Sequence, residues 1–462
     1  MKTFLVSISA LVLFSVSVAA QQRSLTLDEA MTIGLENSKS LHSSLMKSDY
    51  ADAKAGEMNA NLYPSLKAQL SYQNLSNIPA AAVVLPAGVF GPGFPPRAES
   101  VTLSQVILNN YAARATLQQP LFTGWKLQSA SDNAEYSANA AHSDLERDKQ
   151  QLLYDIKSAY WNLYRANEMK KLTDENVAQM TQHLDDIQNM LNQGMSTTNE
   201  VLKTKVQLAS AKILQSDAVN SVTIAMISFN STIGLPLATD VSIASTLTPR
   251  SKEFPQIDQL LGTAFTQRAD VKSMQWHVKA AESGIAAARS GWMPQLFLTG
   301  NYYYSRPNQR IFPAQDVFKD SWDIGVNLQF DIWNNLTTVH QTDEAKAQYA
   351  QTEDSYSMLK DVITLEVTQN YLNFNQAKNR IDLAQLSVDQ ANENLRVTRE
   401  KFKAELTTNS ELLDAEVAVL QAKVQLVQSQ VDYELAEARL EKAIGGNPGI
   451  HDDARQMTAL RN

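Results

Sequence analysis

The 462-residue chain carries 40 Lys and Arg against 49 Asp and Glu, a formal charge of −9, and no cysteine. The missing thiols exclude disulfide scaffolds, thiolate zinc sites, cysteine nucleophiles and a lipid on an N-terminal cysteine; the acidic balance argues against nucleic acid, since phosphate binding needs a basic face. Only 16 Gly and 14 Pro punctuate the chain, well under the average of roughly 7% and 5%, which disfavours turn-rich β-sandwiches and points to long uninterrupted elements.

Residues 1–20 read as a signal peptide. Lys2 supplies the positive start, Phe4 to Val18 is apolar apart from Ser7, Ser9, Ser15 and Ser17, and Val18-Ala19-Ala20 offers small residues for cleavage. The apolar run is about 15 residues, short of the roughly 20 that a spanning helix needs, so removal is expected rather than anchoring. No later stretch reaches the ~18 consecutive apolar residues of a membrane helix.

The remainder contains itself twice. At an offset of 211, Tyr160 faces Tyr371, Glu200 faces Glu411, Leu202 faces Leu413, and Ile233-Gly234 faces Ile444-Gly445. Further upstream the offset is 230, aligning Leu27-Asp28 with Ile257-Asp258, Pro64 with Pro294 and Tyr72 with Tyr302. The 19-residue difference is an insertion in the first copy, within which residues 78–97 hold five Pro and three Gly and read as an extended surface loop. Repeat 1 covers 25–236 and repeat 2 covers 255–446, followed by a tail at 447–462. Each repeat reads as helix, two strands, very long helix, turn, helix.

In repeat 1 the strands are expected at 64–75 and 110–122, the long helix at 125–192, a turn at 194–198 and a second helix at 199–234. In repeat 2 they are expected at 294–304 and 321–333, with the long helix at 335–404, the turn at 405–409 and the last helix at 410–444. No Gly occurs from Trp125 to Gln193 or from Val326 to Ile444. Interior Pro or Gly costs a helix about 3 or 1 kcal/mol, so such stretches permit very long helices. Val177, Met180, Leu184, Ile187 and Leu191, and Leu413, Val417, Leu420, Val424, Val427 and Val431, step by threes and fours, the heptad spacing of helices packed along a seam. At about 1.5 Å per residue the long helices reach roughly 100 Å.

The strands alternate. Leu66, Ala68, Leu70 and Tyr72 lie opposite in parity to Ser65, Lys67, Gln69 and Ser71, and Trp322, Ile324, Val326, Leu328, Phe330 and Ile332 opposite to Asp323, Gly325, Asn327, Gln329 and Asp331. Their length is near that of a tilted membrane-spanning strand, and one face is apolar while the other carries Lys, Arg, Asp, Asn and Gln, as in a barrel with lipid outside and water inside. Trp125, Trp292, Trp322 and Trp333 stand at or beside strand ends, where interfacial aromatic girdles sit. A soluble sheet covered by the helices is the competing reading. Four strands cannot close a membrane barrel, whose smallest forms have about eight, and open edges cannot be left in lipid. Three protomers would give twelve strands around a lumen, so a homotrimer is expected.

Signal peptide, duplicated unit and four strands per chain together resemble the TolC family of outer-membrane efflux proteins. Local motifs that carry the resemblance are Leu25-Thr26-Leu27-Asp28-Glu29-Ala30, Tyr63-Pro64-Ser65-Leu66, Leu121-Phe122-Thr123-Gly124-Trp125 and the two hairpin turns. It implies a mostly α, internally duplicated α+β membrane protein: a trimer forming a 12-stranded β-barrel in the outer membrane and a 12-helix α-barrel in the periplasm. It also implies a passive efflux or type I secretion duct that docks a periplasmic adaptor and an inner-membrane pump. Tips of TolC-like proteins are closed by helix hairpins with acidic rings. The matching columns are Glu411 and Asp414, with Asn199 and Glu200 beside the first turn, and together they form the candidate gate. The closing tyrosine and arginine of that family are replaced here by Phe402 and Thr407, so that lock is not carried over.

No other chemistry stands out. The six His are scattered without ligand spacing, and no nucleophile elbow, P-loop or GxGxxG occurs. His183 with Asp185 and Asp186 reads as a solvated helix face, not a metal site. Neither enzyme activity nor a cofactor is expected, and no pattern specifies the cargo. The runner-up is a periplasmic coiled-coil adaptor or structural protein carrying a soluble sheet.

Overall fold

The computed structural model describes residues 23–76, 79–85, 99–104, 106–244, 247 and 252–446. The expected signal peptide, most of the Pro/Gly-rich loop and the C-terminal tail lie outside them. The chain forms two compact units. One draws on residues up to Leu45, on Asp144–Val271 and on Leu359 onward; the other is Met46–Ser143 with Lys272–Met358.

The first unit is mostly helical, and four of the helices below belong to it only in part, their remaining residues falling in the second. α1 (Leu27–Asn37) starts at a capping box in which Thr26 and Glu29 satisfy each other's backbone N–H. It stops at Ser38, whose backbone is extended, and the Ser38 hydroxyl accepts from Leu41 N–H at 3.2 Å to start α2 (Lys39–Ala60). Two helices therefore stand where one was expected. α5 (Ile257–Gln267) and α6 (Ala269–Arg289) are parted in the same way at Arg268. α3 (Lys126–Asn192) and α7 (Thr337–Lys403) are continuous helices of 67 residues, and each returns through a short turn into α4 (Thr198–Ile233) or α8 (Asn409–Ala443). Thr197 and Thr408 cap the return helices, accepting from the N–H of Glu200 and Glu411.

The main core of this unit buries Leu153, Ile156, Tyr160 and Leu163 of α3 against Phe229 and Ile233 of α4 and Val431 of α8. Each such side chain contributes about 1.5–3 kcal/mol when taken from water. The Tyr160 hydroxyl donates to the Leu25 carbonyl at 3.2 Å, tying in β1 (Arg23–Leu25), which pairs in parallel with β6 (Val241–Ile243). Further along the hairpins the seam continues as Met180, Ala211 and Leu413, and as Leu395, Leu412, Ala415 and Val419.

In the second unit, β2 (Ser65–Asn74), β5 (Asn109–Phe122), β7 (Gln295–Arg306) and β8 (Lys319–Gln329) form one antiparallel sheet in the order β2-β5-β7-β8. Register fixes its rows: Leu66, Leu117, Gly300 and Ile324 lie side by side, as do Lys67, Thr116, Asn301 and Asp323 one step on. The β5–β7 ladder shifts between Pro120 and Phe122, where a residue without N–H cannot continue the pairing. β3 (Ala81–Leu85), inside the loop expected at 78–97, pairs antiparallel with β4 (Glu99–Ser104) just beyond it, so the described parts form a two-stranded ribbon.

Candidate functional site

The sheet is sorted into an apolar and a polar face. On one parity the large side chains in the middle of the sheet are apolar and open: Leu70 is 83% exposed, Ile324 70% and Val326 63%. In a soluble sheet covered by helices these would be the most buried positions. At one end the face is closed by Tyr72, Tyr111, Tyr304 and Phe318. Tyr72 and Tyr111 have ring centroids 4.9 Å apart, and Tyr304 stacks on Phe318 at 5.2 Å.

Trp125, Trp292 and Trp333 stand at the other end, where the strands meet the helices. Trp125 packs edge-on against Phe122 at 5.1 Å, and the Trp333 indole N–H donates to Asn335 at 2.8 Å. Trp322 lies three residues into β8, opposite Tyr302, near the first end. All four tryptophans are exposed.

The polar face holds a continuous network. Arg114 and the Thr116 hydroxyl both donate to the Asn301 amide oxygen, at 2.8 and 2.9 Å. The Asn301 amide donates to Asp323 at 2.8 Å, and Arg310 donates to the other oxygen of that carboxylate at 2.5 Å. Both guanidinium groups lie over the Tyr303 ring, at 5.1 and 4.3 Å. Arg114 and Asp323 thus share one face and one network, while the middle of the other face is hydrocarbon; Arg306, bonded to Asp316, lies over Tyr111 and Phe318 at the strand end.

At the hairpin tips, Gly194 turns the first with a φ of 76° and Glu405 turns the second with a φ of 59°. Each is followed by a helix-closing bond, Met195 N–H to the Met190 carbonyl and Leu406 N–H to the Lys401 carbonyl, both 2.8 Å. Glu411 and Asp414 are exposed on one face of the first turns of α8. The Glu411 carboxylate accepts from the Thr407 hydroxyl. Asn199 is exposed as well.

Glu200 is held elsewhere. Its carboxylate accepts from the Asn409 amide at 3.0 Å and from Lys203 at 3.0 Å. These two bonds, Asn409 first, hold the carboxyl below its ordinary value. The structure does not gather all four residues into one cluster. Glu411 and Asp414 form one acidic pair, and Glu200 belongs to a clamp between the two hairpins.

That clamp was not read from the sequence. His183 is 6% exposed, so the solvated face expected for it is corrected. Its Nε2 lies 2.7 Å from the Asn409 amide oxygen, and Asn409 is buried in turn, its nitrogen donating to Glu200 and to the Thr204 hydroxyl at 3.2 Å. With that nitrogen committed, the oxygen must accept, so His183 carries its proton on Nε2. A few turns on, buried Glu416 accepts from Gln179 at 2.7 Å. These partners lie more than 200 positions apart, and nothing local to either announces the other. Among the described residues no helix is long and apolar enough to cross a membrane, and no group of three His, Asp or Glu gathers to hold a metal.

A four-stranded sheet with an exposed apolar face and aromatic side chains at both ends, in a chain that also forms long helical hairpins, points to a class: membrane proteins that span the bilayer by strands. The outer membrane efflux protein family model matches residues 33–235 and 260–446, and the chain belongs to that family. Among its relatives, the outer membrane efflux protein BepC of Brucella suis is 22% identical over 333 residues, 71% of either chain. The outer membrane protein TolC of Vibrio cholerae is 23% identical over 318 residues, 68% of this chain and 72% of the relative. In fold, the chain is similar to the Campylobacter jejuni CmeC outer membrane channel, with a TM-score of 0.76, 15% identity, and coverage of 92% of this chain and 87% of that one.

Proposed function

We propose that three copies of this duplicated chain close into one passive channel, through which an inner-membrane pump and its periplasmic adaptor export cargo by efflux or type I secretion. The observation that carries this reading is the pair of unpaired edges. Among the described residues β2 and β8 pair on one side only and flank a sheet whose apolar face is exposed, and an unpaired edge in hydrocarbon leaves backbone groups that cost several kcal/mol each. Edge-to-edge closure of three sheets gives twelve strands, with the Arg114–Asn301–Asp323 network facing water.

Two further observations support the reading. α4 exposes Leu202, Val206, Ile213 and Ile224, and α7 exposes Val362, Leu365, Leu372, Leu383 and Leu386, steps of 3, 4, 7 or 11 that place each set in a stripe for a neighbouring helix. The element bounds also repeat: α1 and α5 begin at 27 and 257, 230 apart, and α3 and α7 begin at 126 and 337, 211 apart. Each copy supplies one strand pair and one hairpin.

Glu411 and Asp414 are the gate residues of this reading. Three-fold symmetry would put six carboxylates at a narrow mouth, attracting cations and divalent blockers. The purified protein should extract from membranes as a particle of three protomers and conduct in a planar bilayer with cation preference. Glu411→Ala with Asp414→Ala should reduce that preference and relieve divalent block; unchanged values would remove the gate role. Recovery as a soluble periplasmic monomer would remove the channel.

A further inference from the structure

We propose that the cleft at the α1–α2 junction is a socket for a guanidinium cation, the counterpart of a site that the second copy fills with its own Arg268. The proposal rests on the two-copy reading above. In the second copy Arg268 occupies the break between α5 and α6. Its Nε and one terminal nitrogen donate to Asp270 at 3.0 and 2.7 Å, and the other terminal nitrogen donates to Glu366 and to the Ala443 carbonyl, both at 2.8 Å.

Subtracting 230 from Arg268 and Asp270 gives Ser38 and Ser40; subtracting 211 from Glu366 and Ala443 gives Asp155 and Thr232. All four counterparts line a single open cleft of about 730 Å³. The frame around it repeats too. Ser38 and Arg268 both have extended backbone, and their N–H groups donate to Gly34 and Ala264 at 3.0 and 3.1 Å. Gly234 and Gly445 close the facing helices with φ of 77° and 82°, each so near the break that an added Cβ would stand 2.8 Å from Asn37 or Arg268. The frame is kept and the filler is gone: a serine stands where the guanidinium was.

What remains suits a planar cation. The Asp155 carboxylate opens into the cleft and accepts from Gln151 at 2.8 Å. α4 ends there, and Thr232 is among its last carbonyls, which have no partner within the helix and carry the negative end of its dipole. The Ser40 hydroxyl adds an acceptor, 2.9 Å from the Ser38 hydroxyl, which already accepts from Leu41 N–H. Lys39 on the rim and Lys442 near Asp155 are the opposing charges. A guanidinium suits this set better than an ammonium because its fork reaches a carboxylate and a carbonyl together. The volume falls within the roughly 300–1,000 Å³ of small-molecule pockets, so a molecule the size of free arginine fits.

The test uses the detergent-purified full-length assembly with ethylguanidinium as probe and ethylurea as its uncharged isostere, read by saturation-transfer NMR. Saturable binding of ethylguanidinium alone is expected. Asp155→Asn should weaken it by about tenfold, the order expected for one charge-assisted hydrogen bond, and Ser38→Arg, which supplies the cation covalently, should abolish it. Absence of saturable binding in the parent protein, or undiminished binding in both variants, overturns the socket. Particle mass and conductance, measured on the same samples, keep this failure separate from failure of the channel reading: a conducting trimer that ignores the probe refutes the socket alone.

Discussion

The sheet and the helical hairpins sort the same residue types by opposite rules. In the helical unit Tyr160, Phe229 and Ile233 are buried among other apolar side chains, and the buried polar groups His183 and Asn409 bond to each other. On the sheet Arg114 and Asp323 are joined through Asn301 on one face while Leu66, Leu70, Ile324 and Val326 stand open on the other. Large apolar side chains are exposed on α7 too, but there Val362, Leu365, Leu372, Leu383 and Leu386 form a stripe at heptad spacing rather than a continuous face. A face asks for lipid and a stripe asks for another helix. The difference separates, within one chain, a sheet suited to lipid from helices suited to further helices.

The largest effect should come from reversing the sorting on the sheet. Ile324→Arg places a charge on the apolar face of β8, at a cost of about 2–4 kcal/mol per protomer near the bilayer midplane. Assembled protein in the outer membrane should fall severely, while Thr299→Arg on the polar face should assemble normally. Equal yields of the two variants would break the comparison.

In the helical unit, Arg268→Ala should destabilise by about 3–5 kcal/mol, because it strands two carboxylates and a helix-end carbonyl in a largely enclosed site. Urea midpoints against Ser38→Ala, expected within about 0.5 kcal/mol of the parent, measure the contrast. This junction also sets an acid limit. Burial by itself would raise the Asp270 carboxyl, but the bonds and charge of Arg268 override it and hold the group below its ordinary value. A depressed carboxyl contributes stability above its unfolded pKa of about 3.9 and loses it as pH falls through the lower folded value. Asp270→Asn should therefore flatten the decline in stability below about pH 4, visible in urea midpoints taken as a pH series.

Breaking the hairpin clamp with Asn409→Leu should cost about 1–3 kcal/mol by removing the partner of His183 and one donor to the Glu200 carboxylate. Amide exchange should accelerate in the tips while the Tyr160–Phe229 core keeps its protection; uniform acceleration would mean that the tips are not a separate unit. The smallest effect is a gain. Glu405 holds a left-handed backbone where the first hairpin has Gly194, and Glu405→Gly should relieve about 1 kcal/mol of backbone strain. Gly194→Glu should lose a similar amount.

How much of this was legible follows from the range of the interactions. The alternation Trp322, Ile324, Val326, Leu328 is local, and the face it implies is the face the ladder builds. Stretches without Gly or Pro coincide with the two 67-residue helices for the same reason. The helix breaks at Ser38 and Arg268 were missed because neither residue forbids a helix; tertiary partners of Arg268 and a hydroxyl cap at Ser38 decide them. β1 and β6 are three residues each and pair across more than 200 positions, too short for periodicity to register. His183 looked solvated because Asp185 and Asp186 follow it, and only the approach of Asn409 buries it. At the candidate gate, the exposure of Glu411 and Asp414 on one helix face could be read from spacing, whereas the diversion of Glu200 into the clamp could not.

The central claim is that the β8 edge of one protomer meets the β2 edge of the next. The chain has no cysteine, so paired substitutions are clean: Gln69→Cys on β2 with, in turn, Ser321→Cys, Asp323→Cys, Gly325→Cys or Asn327→Cys on β8. Within one protomer those edges are three strand spacings apart, about 14 Å, beyond the roughly 7 Å that a disulfide can bridge. Oxidation in the outer membrane followed by non-reducing denaturing electrophoresis should give, for at least one register, bands at two and three protomer masses and none above. Monomer at every register, or a ladder running past three, would contradict the closed trimer.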